Sequence, residues 1–395
     1  MSETKLRIGY IPLVDAAALL VAVDRGFAAA EGLTVELVRE VSWSNVRDKL
    51  NIGLFDAAHL LSPMAIASSL GIGHVRVPII APFNLGINGN AITVSPRLHA
   101  ALSDLADGDL SDLKVSSRAL ARVVAERKTR GADPLTFGMT FPFSHHNYQL
   151  RFWMAAGGID PNEDVRLVVL PSPYMVDSLA NGHVDGFCVA EPWSSLAAET
   201  GVGRILHFGC EITARLSEKV LGVRKDWADE NPRTLAALVR ALARACEFVR
   251  DGANHSAVAA SVARRLDVAP ELVTRALAGA LKLSSGGETR SDARYFITGR
   301  DACRPDPVQA AWLYAQIARW GQASLSDALR VAAQAVFRPD LYDNALGGTP
   351  MAPPVEPRDG IGAFIGPDFD PHDIAAHLKA WNPRRTGPPR LSIVR

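Results

Sequence analysis

The feature that most constrains this chain is an alternation of short extended and helical signals through its first two hundred residues. Residues 6–12 alternate like a strand, and 15–31 carry helical periodicity that ends at Gly32. Residues 34–38 read as a strand, and Ser42 is an N-cap residue type ahead of a helix over 43–54. A short apolar strand over 56–61 is followed by a helix over 63–70, stopped by Gly71. Strand candidates at 77–82 and 91–94 flank a Gly/Asn-rich loop. The theme then repeats: helix 113–130, strand 135–140, helix 144–156 closed by Gly157-Gly158, strand 165–170, helix 174–181 and strand 184–189. Residues 204–208 are read as a return to the first unit. Strands alternating with helices predict an α/β protein with mostly parallel sheets. From Asn231 onward the pattern turns mostly helical, over 234–250, 256–266, 270–281, 307–320 and 325–335. The last fifty residues are rich in Pro and Gly, with a helical patch at 373–380, and predict a tail that wraps the body. Its final ten residues read either as part of that wrap or as a disordered end.

A chain of 395 residues with this pattern implies two or three domains, at about 150 residues each. A hydrophobic fraction of 48% with 21% charged residues excludes a disordered chain. Lys plus Arg number 42 and Asp plus Glu 42, so the basic excess that grips nucleic-acid phosphates or an anionic membrane is missing. Neither partner is expected. No apolar run approaches the ~20 residues of a membrane-spanning helix. Lys5 and Arg7 precede the apolar run 16–23, and Ala28-Ala29-Ala30 mimics a cleavage site. Asp15, Asp24 and Arg25 bracket that run, however, and a strand pattern precedes it. No signal peptide and a cytoplasmic location are expected.

The cysteines, Cys188, Cys210, Cys246 and Cys303, are widely spaced and form no metal pattern. Two disulfides or scattered free thiols both fit. No nucleophile elbow, zinc-helix, P-loop or dinucleotide motif is present, so nothing demands an enzyme, a cofactor or a metal. Polar residues instead recur where strands run into helices: at 12–15, 42–44, 62–64, 143–146 and 191–194. Such turns gather at the carboxyl edge of an open α/β sheet, where ligands bind. Free N–H groups at helix starts suit a small anion there. The blander reading makes Ser42, Ser62, Ser144 and Ser194 simple N-caps. Likewise His145-His146 is a surface pair or a set of neutral donors to an oxyanion, Trp43 a core aromatic or a pocket wall, and Lys219 an exposed lysine or a site residue.

Several segments, in order over residues 5–330, resemble the nitrate- and bicarbonate-binding (NrtA/CmpA-like) family of solute-binding proteins. They are the runs at 9–17 (GYIPLVDAA), 42–48 (SWSNVRD), 56–64 (DAAHLLSPM), 151–161 (RFWMAAGGIDP) and 185–193 (DGFCVAEPW). The run 141–149 (FPFSHHNYQ) is most similar to the family's cytoplasmic nitrate/nitrite-sensor (NasS-type) branch. Sensors of that branch hold a NasT-like, ANTAR-type RNA-binding antiterminator and release it when the anion binds. The resemblance implies two α/β lobes, like a type II periplasmic binding protein, with the ligand in the cleft between them. Lobe one is expected over 1–95 plus 205–330, lobe two over 96–204, and an extension over 331–395. It implies anion contacts at Trp43, His146, Pro192 and Lys219, with His145, Gln149 and Asp15 beside them. Bicarbonate members also hold calcium, and no such carboxylate set is placed here. The expected function is a cytoplasmic nitrate/nitrite sensor. The rivals are an exported binding protein of an ABC transporter, for nitrate, bicarbonate or a sulfonate, and a thiamin-pyrimidine synthase-like enzyme, which calls for clustered cysteines.

Overall fold

A computed structural model describes residues 4–347 and 361–381. Ten strands enter first: β1 Thr4–Tyr10, β2 Leu33–Arg39, β3 Ala57–Leu61, β4 Ile79–Asn88, β5 Asn90–Val94, β6 Thr136–Met139, β7 Arg166–Val169, β8 Gly186–Ala190, β9 Arg204–Phe208 and β10 Ser217–Arg224. A small hairpin, β11 Ala280–Lys282 with β12 Thr289–Ser291, and the short β13 Phe296–Ile297 follow. They build two principal sheets, ordered β13-β4-β10-β3-β1-β2 and β7-β6-β8-β5-β9.

The sheets are mixed, with antiparallel pairs as prominent as parallel ones, where alternation alone predicts mostly parallel sheets. β1 pairs in parallel with β2 and β3, and β6 with β7 and β8, because helices carry each crossover between them. The strands nearest the switch between sheets, β4, β5, β9 and β10, all pair antiparallel. Strand membership also moves the expected boundaries. β5 and β9 both lie in the second sheet, so the chain leaves the first sheet after Asn88 and returns to it only at Ser217. Local propensity marks 91–94 and 204–208 as strands but carries no information about which sheet will pair with them.

The two crossings are tied together. Asn88 adopts φ 61°, unusual for a residue with a side chain. Its side chain explains this: Nδ2 donates to the carbonyls of Ala214 (2.9 Å) and Arg294 (2.8 Å), and Oδ1 accepts from Leu216 N at 2.9 Å. Next to it Gly89, at φ 101°, lets β4 pass directly into β5.

β4 is longer than its sequence suggests. The Gly/Asn-rich stretch after 82 continues the strand, since β10 and β13 flank it and supply hydrogen bonds. Gly86 is needed there, because a Cβ would stand 2.7 Å from the Phe296 ring. β10 itself carries a bulge. Ser217 pairs with Ile87 and Lys219 with Gly86, so Glu218 is an extra residue with no partner on β4.

Helical segments complete the body. Helix Pro307–Arg319 packs on helix Ser62–Leu70 of the first unit and stacks Trp312 on Phe152 of the second, at 5.9 Å and 12°. Residues 361–381 lie across this junction: Phe364 N donates to Ile212 O at 2.8 Å, and the Trp381 ring covers the Arg319 guanidinium at 3.5 Å. Residues 348–360 and 382–395 of the expected wrapping tail lie outside the described residues. The four cysteines are buried and free. No described helix is long and apolar enough to cross a membrane.

Candidate functional site

Capping places the first two site residues. Ser42 caps helix Trp43–Asn51 by accepting from Asn45 N (3.3 Å), and Ser144 caps helix His145–Ala156 by accepting from Asn147 N (3.1 Å). Each helix therefore begins at a fixed point, which sets Trp43 from the first unit and His145-His146 from the second. Ser62 is no cap: its hydroxyl donates to the Ser217 carbonyl and pins β10 beside the site. Ser194 Oγ is buried without a hydrogen-bond partner among the described residues.

Lys219 is the centre of the arrangement. It is fully buried, contrary to the exposed-lysine reading. Its Nζ lies 2.8 Å from Asp15 Oδ2 and 2.8 Å from Glu218 Oε1, and 5.4 Å from the centre of the Trp43 ring. The β10 bulge makes this possible. In a regular strand neighbouring side chains point to opposite faces, whereas here Glu218 and Lys219 meet.

The histidines surround the carboxylates. His59 Nε2 lies 3.0 Å from Asp15 Oδ1, and its ring tilts against Trp43 at 5.3 Å. His145 Nδ1 lies 2.9 Å from Glu218 Oε2, and His146 Nε2 is 3.6 Å from Glu218 Oε1. His146 Nδ1 meets Thr140 Oγ1 at 2.8 Å, and Asn90 Nδ2 donates to Glu218 Oε2 at 2.8 Å.

Burial and charge pull against each other here. Burial pushes the Asp15 carboxyl up, but Lys219 and His59 outweigh it and hold it below the usual carboxylate range. Glu218 follows the same balance: Lys219 and the two neighbouring histidines overcome its burial and hold it well below its ordinary value. Burial lowers Lys219, and the two carboxylates more than restore it, so its ammonium is kept. Burial pushes His146 down to about 3 against the pull of Glu218, and lowers His59 against the pull of Asp15. Both imidazoles are neutral at neutral pH.

Hydrogen bonding within this cluster is incomplete. Trp43 Nε1, both ring nitrogens of His59 and of His145, His146 Nε2 and Asn90 Oδ1 are buried with no aligned partner among the described residues. Buried polar atoms left unpaired cost about 1–3 kcal/mol each, so their concentration marks a place that something else completes. The donors are one ammonium, an indole N–H and imidazole N–H groups: a set that suits a small oxyanion. All these side chains are at most 3% exposed, so a ligand enters only if the two units part.

Not every sequence candidate sits alike. Trp43, His145, His146, Lys219 and Asp15 come together, though Asp15 offers oxygen acceptors and serves as a counter-charge. Gln149 borders the cluster through Asn90, whose Nδ2 donates to its Oε1 at 3.4 Å, while its Nε2 donates to Gly209 O (3.2 Å) and Thr213 Oγ1 (3.1 Å) and so fixes the helix to the crossover. Pro192 is buried in a cis Glu191-Pro192 peptide, and Val14 N donates to Glu191 O at 2.9 Å, beside the Asp15 turn. His59, Glu218, Thr140 and Asn90 were not singled out by sequence. His59 stands within a quoted family segment and Glu218 beside Lys219, but no sequence signal marked the bulge that turns both inward.

Comparison with known proteins identifies the family. The model of the NMT1-like family matches residues 1–263. The nitrate/nitrite binding protein NrtA of Synechococcus elongatus is 30% identical over 385 residues, covering 94% of this chain and 84% of that protein. The nitrate import ATP-binding protein NrtC of Synechocystis is 30% identical over 98% of this chain, which spans only 56% of NrtC. The chain thus spans about half the length of several curated relatives it matches, CmpC proteins included at 55%. The crystal structure of periplasmic NrtA from Synechocystis superposes with a TM-score of 0.82 at 28% identity, covering 96% of this chain and 98% of NrtA.

Proposed function

Because this chain belongs to the NMT1-like family and to its NrtA/CmpA-like solute-binding proteins, we propose that it binds nitrate or nitrite at the Lys219 cluster. One observation carries the reading: a buried ammonium stands with unpaired indole and imidazole nitrogens where the two sheets meet. Nitrate is small, planar and singly charged, so a dry site must replace its water shell with N–H donors, and Trp43 offers both an N–H and a flat face. Helix starts at Trp43 and His145 add partial positive charge.

The role best supported by the relatives is that of the solute-binding component of an ABC importer, exported to its work. The second reading, a cytoplasmic sensor that releases an ANTAR-type antiterminator, rests on the 141–149 run, whose His145-His146 doublet lies inside the cluster. Isothermal titration with nitrate, nitrite, bicarbonate and taurine tests the ligand. Saturable heat with nitrate or nitrite is the expected result, and silence with both refutes it. Fractionation decides the role: recovery outside the cytoplasm supports the importer, whereas a cytoplasmic complex with the antiterminator that dissolves on adding nitrate supports the sensor.

A further inference from the structure

The way from solvent to the cluster is marked along helix Trp43–Asn51. Trp43 is 2% exposed, the Arg47 side chain 13% and the Asp48 side chain 50%, so the helix leads from the sealed site outward. Arg47 lies one turn beyond Trp43, about 6 Å along the axis and on the same face. Its guanidinium is always charged, yet among the described residues only its Nε is hydrogen-bonded, to Asp48 Oδ1 at 2.8 Å. The guanidinium faces the second unit, with Cζ 5.5 Å from the centre of the Phe141 ring. Phe141 belongs to the segment 141–143 between β6 and helix His145–Ala156. Ser144 Oγ donates to Phe141 O at 2.6 Å and Asn147 Nδ2 to Pro142 O at 2.7 Å, which ties the segment to the helix start that carries His145 and His146. Phe143 seats on the first unit as well: a Cβ on Gly73 would stand 3.1 Å from its ring. Two aromatic rings of the second unit thus rest on the first across the seam beside the cluster.

Resting on the anion-binding reading above, we propose that Arg47 and Phe141 form the gate of the anion site, with Arg47 the first cation that an entering oxyanion meets. With the units together, the Phe141 ring covers the guanidinium and the seam is shut. When they part, segment 141–143 leaves with helix His145–Ala156. The two Nη groups are then free to take a planar oxyanion through a fork of parallel hydrogen bonds. Closure returns Phe141 to the guanidinium, and the anion passes to Lys219 and the unpaired indole and imidazole nitrogens. Arg47 therefore governs arrival and Phe141 escape, while the final contacts stay with the cluster. Because Asp48 stands beside the guanidinium, removing the cation leaves the entrance negative.

The test is rapid mixing of the full chain with potassium nitrate and potassium nitrite, followed by tryptophan emission, with calorimetry for the equilibrium affinity. Arg47→Gln should slow association about tenfold at low ionic strength, the lower end of electrostatic focusing, and the deficit should shrink as added potassium gluconate screens the entrance. Arg47→Lys keeps the charge and should associate at nearly the native rate. Phe141→Leu removes the ring and should speed dissociation about two- to fivefold, the weight of one cation–π contact, with association unchanged. Native association in Arg47→Gln, or an equal slowing in Arg47→Lys, overturns the proposal even if the anions bind. So does native dissociation in Phe141→Leu. No binding of either anion to the unaltered protein overturns the anion reading and this inference with it.

Discussion

Replacing Lys219 with methionine separates its charge from its volume. Methionine fills nearly the same space, so the change measures electrostatics and little packing. In the native protein the ammonium serves two buried carboxylates, Asp15 and Glu218, both at 2.8 Å. Removing one member of a buried ionic network costs about 3–5 kcal/mol, because the remaining charges stay in place without compensation. Two orphaned carboxylates put Lys219→Met at the upper end of that range. Partial relief is available, since His59 lies against Asp15. The ammonium is one of the charges that lower His59, so losing it raises that imidazole's folded-state pKa relative to the native protein. A histidine whose folded pKa lies below its unfolded value, near 6.5, costs stability as pH falls, and the variant carries less of that cost than the native protein. The penalty is therefore smallest near pH 6, about 3 kcal/mol, and largest near pH 8.5, about 5 kcal/mol. Urea unfolding at both pH values measures it against a total of about 5–15 kcal/mol. The native protein should also gain about 2.7 kcal/mol from nitrate at a hundred times its dissociation constant, and the variant should gain none. A loss below about 1 kcal/mol at both pH values, within the range of exposed pairs, refutes the placement of Lys219 as a buried hub.

Other outcomes follow from single contacts. Trp43→Phe keeps the ring and removes an indole N–H that has no partner in the fold, so urea midpoints should barely move while calorimetry shows nitrate weakened by about 1.5–3 kcal/mol; equal affinity excludes the N–H as a contact. Stability should fall as pH drops below about 6.5, because unfolded His146 takes up a proton that the folded form, at about 3, refuses; the slope is about 1.4 kcal/mol per pH unit for each such histidine, and a level urea midpoint from pH 7 to 5 contradicts it. Gly157→Ala drives a Cβ to 2.1 Å from the Ser117 carbonyl and should cost about 1–3 kcal/mol by thermal melting, since a backbone atom cannot step aside. An unchanged melt would show that helices Leu113–Thr129 and His145–Ala156 are packed less closely than described.

What the sequence disclosed depended on how local each signal was. Ser42 and Ser144 mark their helix starts through bonds to residues three positions on, so Trp43 and the histidine doublet were found early. The short strand read over 56–61 matches β3 at Ala57–Leu61, a mostly apolar segment whose five residues are all buried. Signals that depend on distant partners stayed silent. β4 runs through Gly86 and Asn88 because β10 and β13 hold it, and nothing nearby in sequence says so. Neither did Gln149 betray that its amide nitrogen bonds to Gly209 and Thr213, some sixty residues away. β10 was missed and Glu218 with it, since two successive charged residues in a strand normally argue for solvent on at least one face.

That irregularity in β10 has a consequence for how such a site changes over generations. Substitutions alter one charge at a time, but the facing of Glu218 and Lys219 depends on the count of residues between Ser217 and Val220. Deleting one residue would remove the extra position opposite β4 and turn a single charge towards the pocket, while the further irregularities at Lys219–Val220 and Leu221–Val223 would have to be re-registered with it. Inserting it again would restore the zwitterionic pair. The electrical character of the cleft is in that sense encoded as a length, and relatives that differ here by a gap should differ in ligand charge more sharply than those that differ by a replacement.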